Sequence, residues 1–184
     1  AFGENLRYFF SYQVGHMYFR YFMWNSAGRQ NDIQGHGSIN EGNWISGIPF
    51  LDEMRLGPQD TLPNNMKNHS TNKFYLLPLI LGLIGLFFHI NRNKRDTFIV
   101  ALLFLMTGFA IIIYLNQYPY QPRERDYAYA ASFYAFSIWI GLGVFALADA
   151  LSKRMDLKLS AILMTAVTLL LVPVNMGYQG WDDH

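Results

Sequence analysis

Four long apolar runs, none containing Asp, Glu, Lys or Arg, constrain the fold of this 184-residue chain more than any other feature. They are residues 74–90 (FYLLPLILGLIGLFFHI), 97–115 (TFIVALLFLMTGFAIIIYL), 129–148 (YAASFYAFSIWIGLGVFALA) and 159–177 (LSAILMTAVTLLLVPVNMG). At about 1.5 Å per residue, such runs reach across the ~30 Å hydrocarbon core of a bilayer. Lipid offers the backbone no hydrogen bonds, so each run must satisfy its own N–H and C=O groups as a helix. One run alone fits a buried soluble helix equally well, but four in succession with polar breaks do not. The expectation is an all-α membrane protein with four transmembrane helices in 74–178. An aromatic-rich, partly helical segment, 1–73, precedes them, and a polar tail starts at 179–184.

The mean hydropathy of +0.09 hides this division, because a polar and aromatic first part is averaged with an apolar second part. The net charge of +1 lacks the basic excess of a nucleic-acid partner. Cysteine is absent, which excludes disulfide and thiolate chemistry. Ala1-Phe2-Gly3-Glu4 has neither an initiator Met nor the basic and apolar regions of a signal peptide. The chain is expected to be a fragment of a longer protein.

The loops set an orientation. Arg92, Lys94 and Arg95 lie between the first two runs, and Lys153, Arg154 and Lys158 between the last two. The positive-inside rule puts both loops in the cytoplasm. Residues 1–73, 116–128 and 179–184 then share the opposite face, which is periplasmic in a bacterial inner membrane. In the third run, Ala131/Ala135 and Ser137/Gly141 are spaced four apart, as small residues are at close helix contacts. Pro78, Pro173, His89 and Asp149 need no role beyond helix ends and interfaces.

Residues 5–24 hold nine aromatic residues together with Arg7 and Arg20. This composition suits either an interfacial helix at the headgroup level or a core helix packed under the polar segment. Residues 25–60 are rich in Gly and Asn, a pattern of turns and of loops with a function. Within them Arg29, Asp32, His36 and Glu41 are candidate site residues, each also able simply to satisfy irregular backbone. No G-x-S-x-G elbow accompanies Gly35-His36-Gly37-Ser38, so esterase chemistry is rejected.

The connection NQYPYQPRERDY, residues 116–127, carries the densest chemistry. Arg123 and Arg125 can hold a phosphate through bidentate hydrogen bonds. Glu124 or Asp126, oriented by Arg and ionised, can act as a base toward a hydroxyl. The bland alternative is a self-neutralised knot that fixes the loop. Asp182, Asp183 and His184 can bind a divalent cation, although a polar post-helix turn explains them as well.

Several of these segments together carry a resemblance. SYQVGHMYFRYFMWNSAGRQNDIQGHG, GNWISGIPFLDEMRLGPQ, LPLILGLIGLFFH, NQYPYQPRERDYAYAASFYAFSIWIGLGV and the terminal GWDDH closely resemble a family of bacterial polytopic inner-membrane proteins. That family is grouped with the GT-C glycosyltransferases and is similar to protein O-mannosyltransferases. The resemblance covers nearly the whole chain. It implies a periplasmic active site, a polyprenyl-phosphate-linked sugar as donor, and a hydroxyl acceptor on a periplasmic protein. It also implies that this chain is the later part of the membrane domain. The usual catalytic carboxylate, in the first extracytoplasmic loop, would then lie upstream.

Two functions follow as expectations. In the first, Arg123 and Arg125 hold the lipid-linked phosphate, and Glu124 or Asp126 orients the acceptor or assists a metal. In the second, the chain is a non-catalytic scaffold or a subunit of an envelope secretion or transport assembly. No Asp, Glu, Lys or Arg interrupts the four runs, which argues against a transporter's coupling site.

Overall fold

The computed structural model describes residues 2–63, 66, 69–119 and 123–180. It is mostly helical, with one two-stranded antiparallel ribbon. Helix α1 covers residues 2–26 as Phe2–Tyr8, a π stretch Phe9–Phe19, and Arg20–Ser26. Helix α2 is Pro49–Leu56, α3 Leu77–Arg92, α4 Lys94–Leu115, α5 Asp126–Ser152 and α6 Leu157–Gly180. Strands β1 (Gly28–Arg29) and β2 (Asn72–Lys73) pair so that Arg29 faces Asn72.

The helix ends have local causes. Asn93 caps α4 by accepting from the N–H groups of Arg95 and Asp96, and Asp156 caps α6 by accepting from Lys158 and Leu159. Asn116 ends α4 in the left-handed conformation at φ 39°, which Asn tolerates better than most residues. Pro173 lies inside the π stretch Leu170–Val174 of α6, where its missing N–H breaks the ladder.

Three helices, α4, α5 and α6, are long and apolar enough to cross a membrane. The expected run 74–90 forms a shorter helix displaced toward its C-terminal end. Tyr75 and Leu76 take positive φ angles of 54° and 58°, so α3 starts only at Leu77. Its 16 residues measure roughly 24 Å at 1.5 Å each.

Helices α3 and α5 run parallel. Along the pair, Gly82 meets Phe136, Gly85 meets Trp139 and Gly143, and Phe88 stacks edge-on with Phe145 at 5.7 Å. The two positive loops, 92–95 and 153–158, therefore lie at one end of the bundle. Gly85 and Gly143 mark the crossing. A Cβ on Gly85 would collide with the Trp139 carbonyl, and one on Gly143 with the Leu81 carbonyl. This corrects the expected contact face. Gly141 has open space around it, whereas Gly143, together with buried Ser132 and Ala135, faces neighbouring helices. A four-residue spacing of small residues gives a candidate face, but the crossing angle selects which one is used.

Helix α1 packs into the bundle from Gln13 onward, whereas its first residues are exposed. Its contacts run antiparallel to α4: Gln13 with Asn116, Tyr18 with Phe109 and Phe104, and Phe22 with Phe104. The Tyr18 hydroxyl shares a 2.6 Å hydrogen bond with Ser132 Oγ, which donates to the Phe104 carbonyl at 2.9 Å. Tyr18 also covers Gly108, inside the π stretch Met106–Ala110 of α4. Two aromatic clusters result: one around Tyr18, Tyr21, Trp24 and Tyr129, the other around Phe22, Phe136 and Trp139. His89, expected at an interface, accepts from the Trp139 indole at 3.3 Å.

The polar segments gather at the other end. Gln179 donates to the Lys73 carbonyl at 2.8 Å and accepts from its N–H at 2.5 Å. Gln13 donates to the Gln117 carbonyl at 3.1 Å, and Tyr8 donates to the same carbonyl. The start of α1, Lys73, Gln117 and the end of α6 thus lie at one end of the bundle, opposite the positive loops.

Candidate functional site

The site is organised by Arg20, whose side chain is 4% exposed. A guanidinium buried this deeply must spend its N–H donors on acceptors or lose heavily by desolvation. Arg20 Nε donates to the His16 carbonyl at 2.9 Å and Nη1 to the Gly42 carbonyl at 2.8 Å. Nη1 and Nη2 also reach Glu124 Oε1 and Oε2 at 3.2 and 2.9 Å, a two-pronged pairing. The guanidinium lies over the rings of Tyr21 and Trp24, at 4.7 and 4.8 Å from their centroids.

The backbone around it is shaped to fit. Gly42 has φ 55°, and a Cβ there would sit 2.8 Å from the Ile33 carbonyl and 3.0 Å from Arg20 Nη1. The Gly42 carbonyl also accepts from the Trp24 indole at 3.1 Å. Buried Asn31 holds this loop by accepting from Gly42 N at 2.8 Å and donating to the Asn40 carbonyl at 2.9 Å. Buried Gln30 accepts from Asn43 and donates to Gln59 Oε1 at 2.7 Å. The Gly/Asn-rich stretch is therefore a loop folded around two buried amides.

Glu124 is engaged on both oxygens. Besides Arg20, it receives the Tyr21 hydroxyl, which in turn accepts from Arg125 N at 3.3 Å. Burial alone would raise its carboxyl, but Arg20 and Tyr21 outweigh burial and hold it below the ordinary carboxylate range. Burial and the adjacent Glu124 push the Tyr21 hydroxyl up, so it stays protonated and donates. The His16 imidazole is lowered by burial and by the Arg20 charge, against the opposing pull of the Gly35 carbonyl and Glu124.

The structure distributes the expected site residues unevenly. Arg123 and Asp126 are exposed and Arg125 is half-exposed. Among the described residues, none of these three forms an ion pair. The charge that neutralises Glu124 comes from α1, about a hundred residues earlier, and not from its own loop. Arg29 stacks on Trp24 at 4.5 Å and donates to the Asn31 carbonyl at 3.0 Å, so it supports the loop beside the site. Asp32 and His36 lie exposed on that loop, and Glu41 is half-buried in it. Asp182, Asp183 and His184 lie outside the described residues. Among the described residues, no three His, Asp or Glu side chains form a group able to hold a metal.

Sequence reasoning missed His16, Arg20 and Tyr21 as site residues. Arg20 had a usable signal. An Arg in the middle of so aromatic a helix, once that part is buried, requires an acidic partner. The identity of the partner was not readable. No protein-family model, curated protein or solved structure matches the chain.

Proposed function

We propose that the chain is part of a GT-C-like glycosyltransferase of the bacterial inner membrane, similar to protein O-mannosyltransferases. It transfers a sugar from a polyprenyl-phosphate donor to a hydroxyl of a periplasmic protein. The observation that carries the reading is the division of labour in residues 123–126. Glu124 is neutralised by Arg20, so Arg123 and Arg125 keep their positive charge at the head of α5. Two cations at the end of an apolar helix suit a phosphate at a membrane surface. Asp126 beside them is free to orient an acceptor hydroxyl or a divalent cation.

The topology belongs to the same proposal. Helix α3 runs parallel to α5 and turns tightly into α4 at Asn93, which supports a fourth, short crossing. A 24 Å helix is accommodated by local thinning of the bilayer. The positive loops then face the cytoplasm, and residues 1–73, 116–128 and 179–184 the periplasm.

Deletion of the gene, with glycans on periplasmic proteins read by mass spectrometry, tests the reading. A defined glycan should disappear, return with the wild-type protein, and stay absent with Arg125→Ala. An unchanged glycan profile on deletion would favour the scaffold reading, with 123–126 as structure.

A further inference from the structure

We propose that α2 is a membrane-surface anchor. Its Phe50, Leu51 and Met54 side chains enter the boundary between headgroups and acyl chains of the bilayer that α4, α5 and α6 cross. This role goes beyond sugar transfer and does not depend on it. The helix is inside out for a protein surface. A helix lying on a globular domain turns its apolar stripe to the core and its charges to water. In α2, Asp52 and Leu56 are buried, whereas Phe50 is 72% exposed and Met54 73%. At about 100° per residue, Phe50, Leu51 and Met54 share one arc, opposite Asp52 and Leu56.

That arc carries no charge. Arg55, at its edge, donates to the Trp44 carbonyl and lies over the Trp44 ring at 3.7 Å. Pro49, Asp52 and Glu53, on the other side of the helix, line a small cavity with Lys73. The mounting is fixed as well. Asp52 accepts from Ser46 N and Oγ at 2.7 and 2.9 Å and from Gly47 N at 2.8 Å. Large apolar side chains held outward in this way call for an apolar partner.

The position of α2 identifies that partner as lipid. Exposed tyrosines mark the polar end of each helix from α3 to α6. Tyr75 precedes α3, Tyr114 and Tyr118 flank the end of α4, Tyr127 lies in the first turn of α5 and Tyr178 in the last turn of α6. Such rings settle at headgroup level, so they draw the boundary between membrane and water. Helix α2 begins at this belt. A Cβ on Gly47, at φ 82°, would lie 3.2 Å from the Tyr75 ring and 2.8 Å from Lys73 Cβ. Lys73 is in turn tied to Gln179 at the end of α6. Ile48 and Pro49 follow Gly47 directly, and the apolar phase adjoining the belt is the bilayer. An anchored α2 would also hold residues 25–60 at the surface, since Ile45 N donates to the Gly28 carbonyl at 3.0 Å.

The test uses the full-length protein, cleared of any thiol outside this cysteine-free chain, in vesicles of phosphatidylethanolamine and phosphatidylglycerol. An environment-sensitive fluorophore on Met54→Cys should shift its emission to the blue. Lipids brominated near the headgroup end of their acyl chains should quench it, and aqueous iodide should not. The same fluorophore on Ser38→Cys, exposed on the Gly-rich loop, should answer to iodide alone. Iodide quenching at position 54 overturns the anchor. Quenching by neither agent also overturns it, and means that another part of the protein or a second copy covers the face. If Met54→Cys does not fold, Phe50→Cys on the same arc decides by the same criteria.

Discussion

The polar end of the molecule and the α3–α5 crossing are both tightly packed, but they are held by opposite means. At the crossing, Gly85 and Gly143 remove side chains so that two backbones touch. Van der Waals contact does the work, and no polar group is needed. At the polar end, Arg20 joins its own helix to the Gly42 loop and the Glu124 connection, donating to His16, Gly42 and Glu124 while stacking on Tyr21 and Trp24. The crossing is sensitive to volume and indifferent to pH. The polar end fails when a charge is stranded.

Removing Glu124 should expose this difference most strongly. Glu124→Ala leaves the Arg20 guanidinium buried without its counter-charge, at a cost of about 3–5 kcal/mol. Thermal unfolding in detergent should show the loss, and an Arg20→Met/Glu124→Leu double variant should recover much of it. If the single variant unfolds like wild type, the pair does not hold the polar end together.

Gly85→Ala should cost about 1–3 kcal/mol, because the added methyl meets the Trp139 carbonyl. Gly141→Ala, two residues from the crossing and in open space, should leave unfolding unchanged. Equal effects of the two would break the assignment of the crossing.

Tyr18→Phe removes the shared hydrogen bond with Ser132 and should cost about 1 kcal/mol or less. Its unfolding should keep the wild-type pH dependence, since no charge is involved. A new pH dependence would mean that α1 is held by the polar end and not by its aromatic face.

Acid titration should produce two small steps, both absent from the crossing. His16 has a lowered folded pKa, so the unfolded chain protonates first. Stability then falls as pH drops below the ordinary value of 6.5. Glu124 is also lowered. Its contribution is complete above the ordinary value of 4.5 and is lost as pH falls below that toward the folded value. His16→Gln should flatten the first step and Glu124→Gln the second. Steps that survive both variants belong to other groups.

Much of the bundle was legible because its signal is local. Length, absence of charge and flanking Arg and Lys identify α4, α5 and α6 without knowledge of any partner. Helices α4 and α6 start a few residues before their apolar runs, where caps at Asn93 and Asp156 extend them into polar sequence. The start of α3 was misplaced because positive φ at Tyr75 and Leu76 comes from tethering Phe74 N to the Ala27 carbonyl, a long-range contact. The site was half legible. Arg123–Asp126 stood out by charge density, but its partners His16, Arg20 and Tyr21 lie in a stretch that reads as uniformly aromatic.

What the sequence determined by itself is a mostly helical chain with apolar helices of membrane-crossing length. Those properties depend on the composition of contiguous residues and on the need of each backbone to satisfy itself in lipid. Only the tertiary structure decided which glycine makes the crossing and that α1 belongs to the bundle. It also decided that Glu124 answers to Arg20 and leaves its neighbours' charges open. Those outcomes turn on pairings between residues far apart in the chain, where geometry selects one partner among several that composition allows.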